Sequence, residues 1–204
     1  MKCALALVAA AGLASMASAD VYQNLASIAI PGAGATNGPA DPYPSVINIA
    51  GYSGPVTDVR VSLFLVGHTF PDDLDILLVG PSGQTVMLMS DAGGADDIDD
   101  VDLVFQDGAA ALPDSLVILS GTFAPTNYGT TDVMPLPAPA GPYGTSLLSA
   151  FNVSVNGAWS LYVSDDAAAD VGQIAGGWQI EVVPAPSAIA LMGLGGLVAT
   201  RRRR

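Results

Sequence analysis

Val59-Arg60-Val61-Ser62-Leu63-Phe64-Leu65 places aliphatic residues at every second position. In an extended chain, side chains alternate between two faces. The stretch therefore predicts a half-buried strand with Val59, Val61, Leu63 and Leu65 turned inward. Further on, Asp75 to Val79 and Thr85 to Met89 flank Pro81-Ser82-Gly83, a hairpin signal. Val101, Leu103 and Phe105 repeat the alternation. Leu116 to Phe123, Ser146 to Phe151, Trp159 to Val163 and Ile174 to Val183 are further strand candidates, and Ser27 to Ile30 and Val46 to Ile49 precede them. Helical periodicity is confined to the two termini. The expected fold is all-β: a jelly-roll-like β-sandwich of about eight strands, with a signal helix at each end.

Composition agrees. The chain has 23 Gly and 15 Pro. Its acids are almost all Asp, which favours turns and caps because its short side chain bonds nearby backbone. Two connections are too long for simple turns: the Asp- and Gly-rich Ser90 to Asp100, and the proline-rich Ala124 to Thr145, which cannot be a central strand. Trp159 and Trp178 are predicted core anchors on either side of the last loop, so residues 20–183 read as one domain.

The termini read as addresses. Lys2, the apolar run Cys3 to Leu13 and the small-x-small triplet Ala17-Ser18-Ala19 predict a signal peptide over residues 1–19, cut by signal peptidase before Asp20. The only cysteine, Cys3, leaves with it. At the other end, Val183-Pro184-Ala185-Pro186 leads into an apolar run from Ser187 to Thr200, closed by Arg201 to Arg204. Fourteen residues at ~1.5 Å per residue span roughly 21 Å, short of the roughly 30 Å hydrocarbon core, which favours a sorting signal over a permanent anchor. Segment 184–204 carries four of the six basic residues.

Between these ends Arg60 is the single basic residue, against eighteen Asp and one Glu. Nucleic acid is excluded as a partner, because phosphate binding needs Lys and Arg, and membrane association is left to the tail. Soft-metal sites are excluded too, with no retained cysteine and one histidine.

Two motifs resemble a known family. His68-Thr69-Phe70-Pro71-Asp72-Asp73-Leu74-Asp75-Ile76-Leu77-Leu78-Val79-Gly80-Pro81-Ser82-Gly83 resembles the signature of the P domain, or P/Homo B domain, the β-sandwich that follows the catalytic domain of kexin- and furin-like proprotein convertases. Asn156-Gly157-Ala158-Trp159 followed by Gly172-Gln173-Ile174-Ala175-Gly176-Gly177-Trp178 resembles its C-terminal pattern. The resemblance covers roughly Ile47 to Val183 and implies a jelly-roll-like sandwich. The Pro-x-Pro, apolar run and arginines resemble the PEP-CTERM sorting signal, which implies an exosortase-like processing enzyme, transient inner-membrane anchoring and delivery to the cell surface or extracellular matrix. Ala185 stands where that signal usually has Glu.

No subtilisin-like catalytic domain accompanies the sandwich motifs. His68 would be the only general base for a Ser-His-Asp triad, and it sits inside the sandwich motif. Gly144-Thr145-Ser146 only faintly echoes a subtilase serine motif. The chain is therefore expected not to be an enzyme. Its clustered aspartates suit calcium, which takes six to eight oxygen ligands. The P-domain resemblance implies ligands near the first and last motifs: Asp73 and Asp75 with Asp91, and Asp165 with Asp166 and Asp170. Asp73 and Asp75 would share a side if that segment is extended. The expected function is a non-catalytic surface or matrix module that binds an extracellular polysaccharide or protein. The alternative is an accessory module for a separate subtilisin-like serine endopeptidase.

Overall fold

The computed structural model describes residues 18–129, 132–147, 151 and 155–185. The signal helices expected near the two ends fall in 1–17 and 186–204, outside the described residues. Among the described residues, no helix is long and apolar enough to cross a membrane.

The chain is a β-sandwich of two sheets. In chain order the strands are β1 (Asp20–Asn24), β2 (Ile28–Ile30), β3 (Gly38–Pro39), β4 (Ser45–Ile49), β5 (Val56–His68), β6 (Leu74–Val79), β7 (Thr85–Ser90), β8 (Ile98–Ala111), β9 (Gly121–Ala124), β10 (Thr126–Asn127), β11 (Gly157–Asp165), β12 (Gly172–Ile174) and β13 (Trp178–Pro184). The first sheet has seven strands: β9 and β8 on one side of β5, with β13 and β12 sharing its other edge and leading to β1 and β2. The second has six, in the order β10, β7, β6, β11, with β3 and β4 both on the far edge of β11. Pairing is antiparallel except for β9 on β8 and β10 on β7.

The strand count exceeds eight because long strands change partners. In β5, the alternation holds through Val59, Val61 and Leu63, all fully buried. It then breaks, for Leu65 is left-handed (φ 54°) and 42% exposed, and Val66 takes the inward position. This bend carries β5 from β13 to β12, with a register shift against β8 at the same point. The expected strand Ile174 to Val183 is likewise split, Ile174 ending β12 and Trp178 to Val183 lying in β13. The turn needs Gly177, whose φ is +70° and whose absent Cβ would lie 2.2 Å from Asn24 O.

Two other expected strands differ. In Leu116 to Phe123, only Gly121 onward is a strand; Leu116 and Leu119 are exposed and Ile118 alone is plugged into the core, so no ladder holds the first half. Within Ser146 to Phe151, Leu147 and Phe151 are helical and fully buried. Asp107 accepts from Leu147 N–H and Ser146 Oγ–H, both at 2.8 Å, supplying the backbone donor at a helix start with an acceptor.

Trp159 and Trp178 are fully buried between the sheets, as expected. Each indole N–H is satisfied: Trp159 Nε1 donates to Val155 O at 2.8 Å and Trp178 Nε1 to Ser45 Oγ at 2.9 Å. The Phe151 ring packs on Trp159 at 4.6 Å. The Ala124 to Thr145 loop forms a second, smaller core. Its Met134 and Ala138, with Tyr43 and Tyr143, cover Leu77, Met87 and Tyr162 on the outer face of the second sheet. A strand buried on both faces needs no polar alternation, which accounts for the unbroken apolar run Ile76-Leu77-Leu78-Val79.

The long strands define two poles. β5 runs from Val56, opposite Pro184, to His68, opposite Gly172 and Ile98. β11 ends with Asp165 opposite Leu74, so the ends of β5, β7 and β11 and the start of β6 meet at the His68 pole.

Candidate functional site

The His68 pole collects most of the predicted site residues. A single 3-10 turn, Pro71–Asp73, joins β5 to β6, because Pro71 sets the turn and its carbonyl accepts from Leu74 N–H. Asp73 therefore lies in a turn and only Leu74 onward is extended, so Asp73 and Asp75 do not share a side in the way an extended segment would require. They join two different groups.

The first group centres on Ser90, fully buried at the end of β7. Its hydroxyl is 2.7 Å from Asp75 Oδ1 and 3.2 Å from Asp91 Oδ2. A hydroxyl has one proton to donate, so it cannot serve both carboxylates fully. The Ala124 to Thr145 loop adds Asp132, which sequence reading did not select. A Cβ on Gly129 would sit 2.1 Å from Asp91 Oδ2 and 2.8 Å from Asp132 Oδ1, so only glycine lets these two carboxylates close over the backbone there. Asn127 Nδ2 donates to Asp132 Oδ2 at 2.6 Å, while Asn127 Oδ1 is buried without a hydrogen-bond partner. Asp132 was legible in one respect: it is the only acid between Asp114 and Asp165.

The second group comprises Asp73, Asp165, Asp166 and Asp170. Asp166 N–H donates to Asp73 O at 3.0 Å, joining the two motifs through backbone. Asp170 Oδ1 accepts from Thr69 Oγ1 at 2.8 Å. Asp165 and His68 are packed together with side chains fully buried, Oδ2 and Nε2 being 3.6 Å apart. Neither atom has a hydrogen-bond partner, although Asp165 Oδ1 accepts from Ala167 N–H. His68 Nδ1 is occupied by Phe70 backbone, 2.9 Å from the carbonyl.

The electrostatics follow from this crowding. Burial pushes Asp75 up to about 7, against the opposing Ser90 hydrogen bond, and Asp132, Asp166 and Asp91 add to the rise. Burial also raises Asp73 to about 6, helped by Asp165, Asp166, Asp170 and Asp72. Asp91 rises through burial and then Asp132 and Asp166, with Ser90 opposing. Asp165 rises through burial, opposed by His68 and the Ala167 N–H. Asp166 rises through desolvation and then Asp132. The lone described arginine is bound elsewhere: Arg60 pairs with Asp58 at 3.0 Å and Glu181 at 3.5 Å on the outer face of the first sheet.

Of the remaining loop acids, Asp97, Asp99 and Asp100 line a separate cleft of about 410 Å³ beside Thr69 and Gln173, and Asp102 accepts from Leu65 N–H. The donors at the pole are all oxygens apart from His68, which suits a hard cation. Among the described residues, no three His, Asp or Glu side chains converge on one metal position. A cation there would draw its remaining ligands from carbonyls, the Asn127 amide oxygen and water.

The fold and this pole together define an all-β sandwich with a concentrated acidic end. Compared with protein-family models, with curated proteins and with solved structures, the chain matches none.

Proposed function

We propose that this chain is a non-catalytic exported module of the cell surface or extracellular matrix, stabilised by calcium at its acidic pole, with a sandwich that binds an extracellular polysaccharide or protein. The observation that carries the reading is the chain of carboxylates Asp75, Asp91 and Asp132 sharing one Ser90 proton and one Asn127 amide. Such a chain holds itself apart unless protons or a divalent ion intervene. The resemblance to P domains and to an exosortase-read tail supports the export and the module character.

The absence of catalysis is proposed on geometry. A general base must reach its substrate. His68 is 2% exposed, its Nδ1 faces Phe70 backbone and its Nε2 faces Asp165. The Ser146 hydroxyl donates to Asp107 rather than to His68.

Thermal melting tests the calcium reading. Millimolar calcium is expected to raise Tm beyond sodium chloride of equal ionic strength. Ligand at about a hundred times its Kd adds roughly 2.7 kcal/mol. Asp91→Asn and Asp132→Asn should each remove most of the gain. An unchanged Tm in calcium would sink the proposal.

A further inference from the structure

Both ends of the described chain leave the sandwich at the pole opposite the acids. Asp20, the first residue of β1, pairs with Val182, and Pro184 pairs with Val56. Ala185 N–H donates to Pro55 O at 3.0 Å. Thr57 Oγ1 lies 3.1 Å from Val183 O and 3.3 Å from Pro184 O, so the chain is held to the sheet up to Ala185. In the sequence, the apolar run begins at Ser187, two residues on. Two extended residues reach at most about 7 Å. A membrane that receives this run must therefore lie against the pole that holds Ala185.

Charge supplies an independent argument. The turns Gly51 to Pro55, Pro81 to Gly83 and Asn156-Gly157 at this pole carry no charged side chain. The carboxylates nearest to them, Asp20 opposite Val182 and Asp58 opposite Val183, are not clustered, and Asp58 is paired with Arg60. The turns interlock: Asn156 Oδ1 accepts from Tyr52 N–H at 2.9 Å and its Nδ2 donates to Tyr52 O at 2.8 Å, while Gly157 abuts Pro81. The opposite pole holds the Asp75–Asp91–Asp132 and Asp165–Asp170 groups. β5 connects the two over 13 residues. At ~3.3 Å per residue the poles are roughly 30–40 Å apart, several times the ~8–10 Å screening length of physiological salt.

We infer that the pole holding Ala185, which lacks the clustered carboxylates, is a membrane-contact surface, seated on phospholipid headgroups while the tail is in the bilayer, with the acidic pole held outward. The opposite seating would press the clustered carboxylates against headgroup phosphates, like charge on like charge. The inference rests on the proposed reading of the tail as a membrane-directed segment, and it adds an orientation and a contact face to that reading.

The test uses full chains carrying Cys3→Ser and one new cysteine: Ser53→Cys or Ser82→Cys at the Ala185 pole, or Ala168→Cys at the acidic one, all three positions exposed. Each is labelled with a small fluorophore and reconstituted into phosphatidylethanolamine–phosphatidylglycerol vesicles that bear a headgroup nitroxide quencher. Quenching at positions 53 and 82 is expected to be severalfold stronger than at 168, and to vanish in a chain ending at Ala185. Equal quenching at all three, or stronger quenching at 168, overturns the orientation while leaving the tail reading intact. A full chain that does not float with the vesicles overturns the tail reading, and the orientation with it.

Discussion

Ser45 joins the two sheets through one hydroxyl, which accepts from Trp178 Nε1–H at 2.9 Å and from Asn24 Nδ2–H at 3.2 Å. Ser45→Ala leaves a fully buried indole N–H without an acceptor. An unmet buried donor costs about 1–3 kcal/mol, so urea unfolding should show a loss in that range. The aspartates of the acidic pole make a prediction of opposite character, because there it is ionisation that destabilises. Asp73 and Asp75 are held near 6 and 7, above the usual carboxylate range. The folded chain thus binds protons more tightly than the unfolded chain, and the stability they confer is complete below about pH 4. It is lost as pH rises through 6 and 7. Calcium-free protein is expected to melt at a lower temperature at pH 7.5 than at pH 5, and the gain from calcium should be larger at pH 7.5. A metal-free Tm that climbs steadily over this interval would contradict the assigned burial of Asp75.

β6 shows how far an element can be read before it is seen. Its apolar run and the Pro-Ser-Gly turn after it identify a strand and a hairpin, and the structure has both at Leu74–Val79 and Thr85–Ser90. The run does not say what covers its second face. The cover is the proline-rich loop, whose Met134 and Ala138 reach Leu77 from across the chain. Leu77 and Leu78 point to opposite faces, yet both are fully buried. Leu77→Ala should therefore cost as much as Leu78→Ala, about 2–5 kcal/mol each by chemical denaturation. A loss near zero for Leu77→Ala alone would mean that the loop does not pack there in solution. The breaks in β5 at Leu65 and between β12 and β13 were illegible for a related reason. Alternation reports which side of a strand is wet, but a change of pairing partner is set by the neighbouring strands. The acidic site was half legible in the same way. Local density of Asp marked Asp75, Asp91, Asp165 and Asp166, whereas Asp132 arrives alone from a distant loop and only folding brings it beside Asp91.

Across the whole molecule, charge is separated along the strand direction. The chain's formal net charge is −13, yet the turns near Pro55, Ser82 and Asn156 are uncharged and the opposite end holds closely set carboxylates. Net charge of one sign strains a compact fold through self-repulsion, and that strain is greatest where the charges are closest. Salt relieves it, since at 0.1 M the screening length is about 10 Å. Without calcium at pH 7.5, sodium chloride should raise Tm, and for a domain of this size each 1 kcal/mol recovered corresponds to about 2–4 °C. The response should belong to one pole. Asp91→Asn or Asp132→Asn should raise the low-salt Tm and flatten its salt dependence, because each removes a charge from the chain of carboxylates. Asp20→Asn removes the same formal charge at the other pole, opposite Val182, and should leave the slope unchanged. Equal flattening by all three substitutions would mean that the salt response reads total charge, and that the acidic pole is not a distinct electrostatic unit.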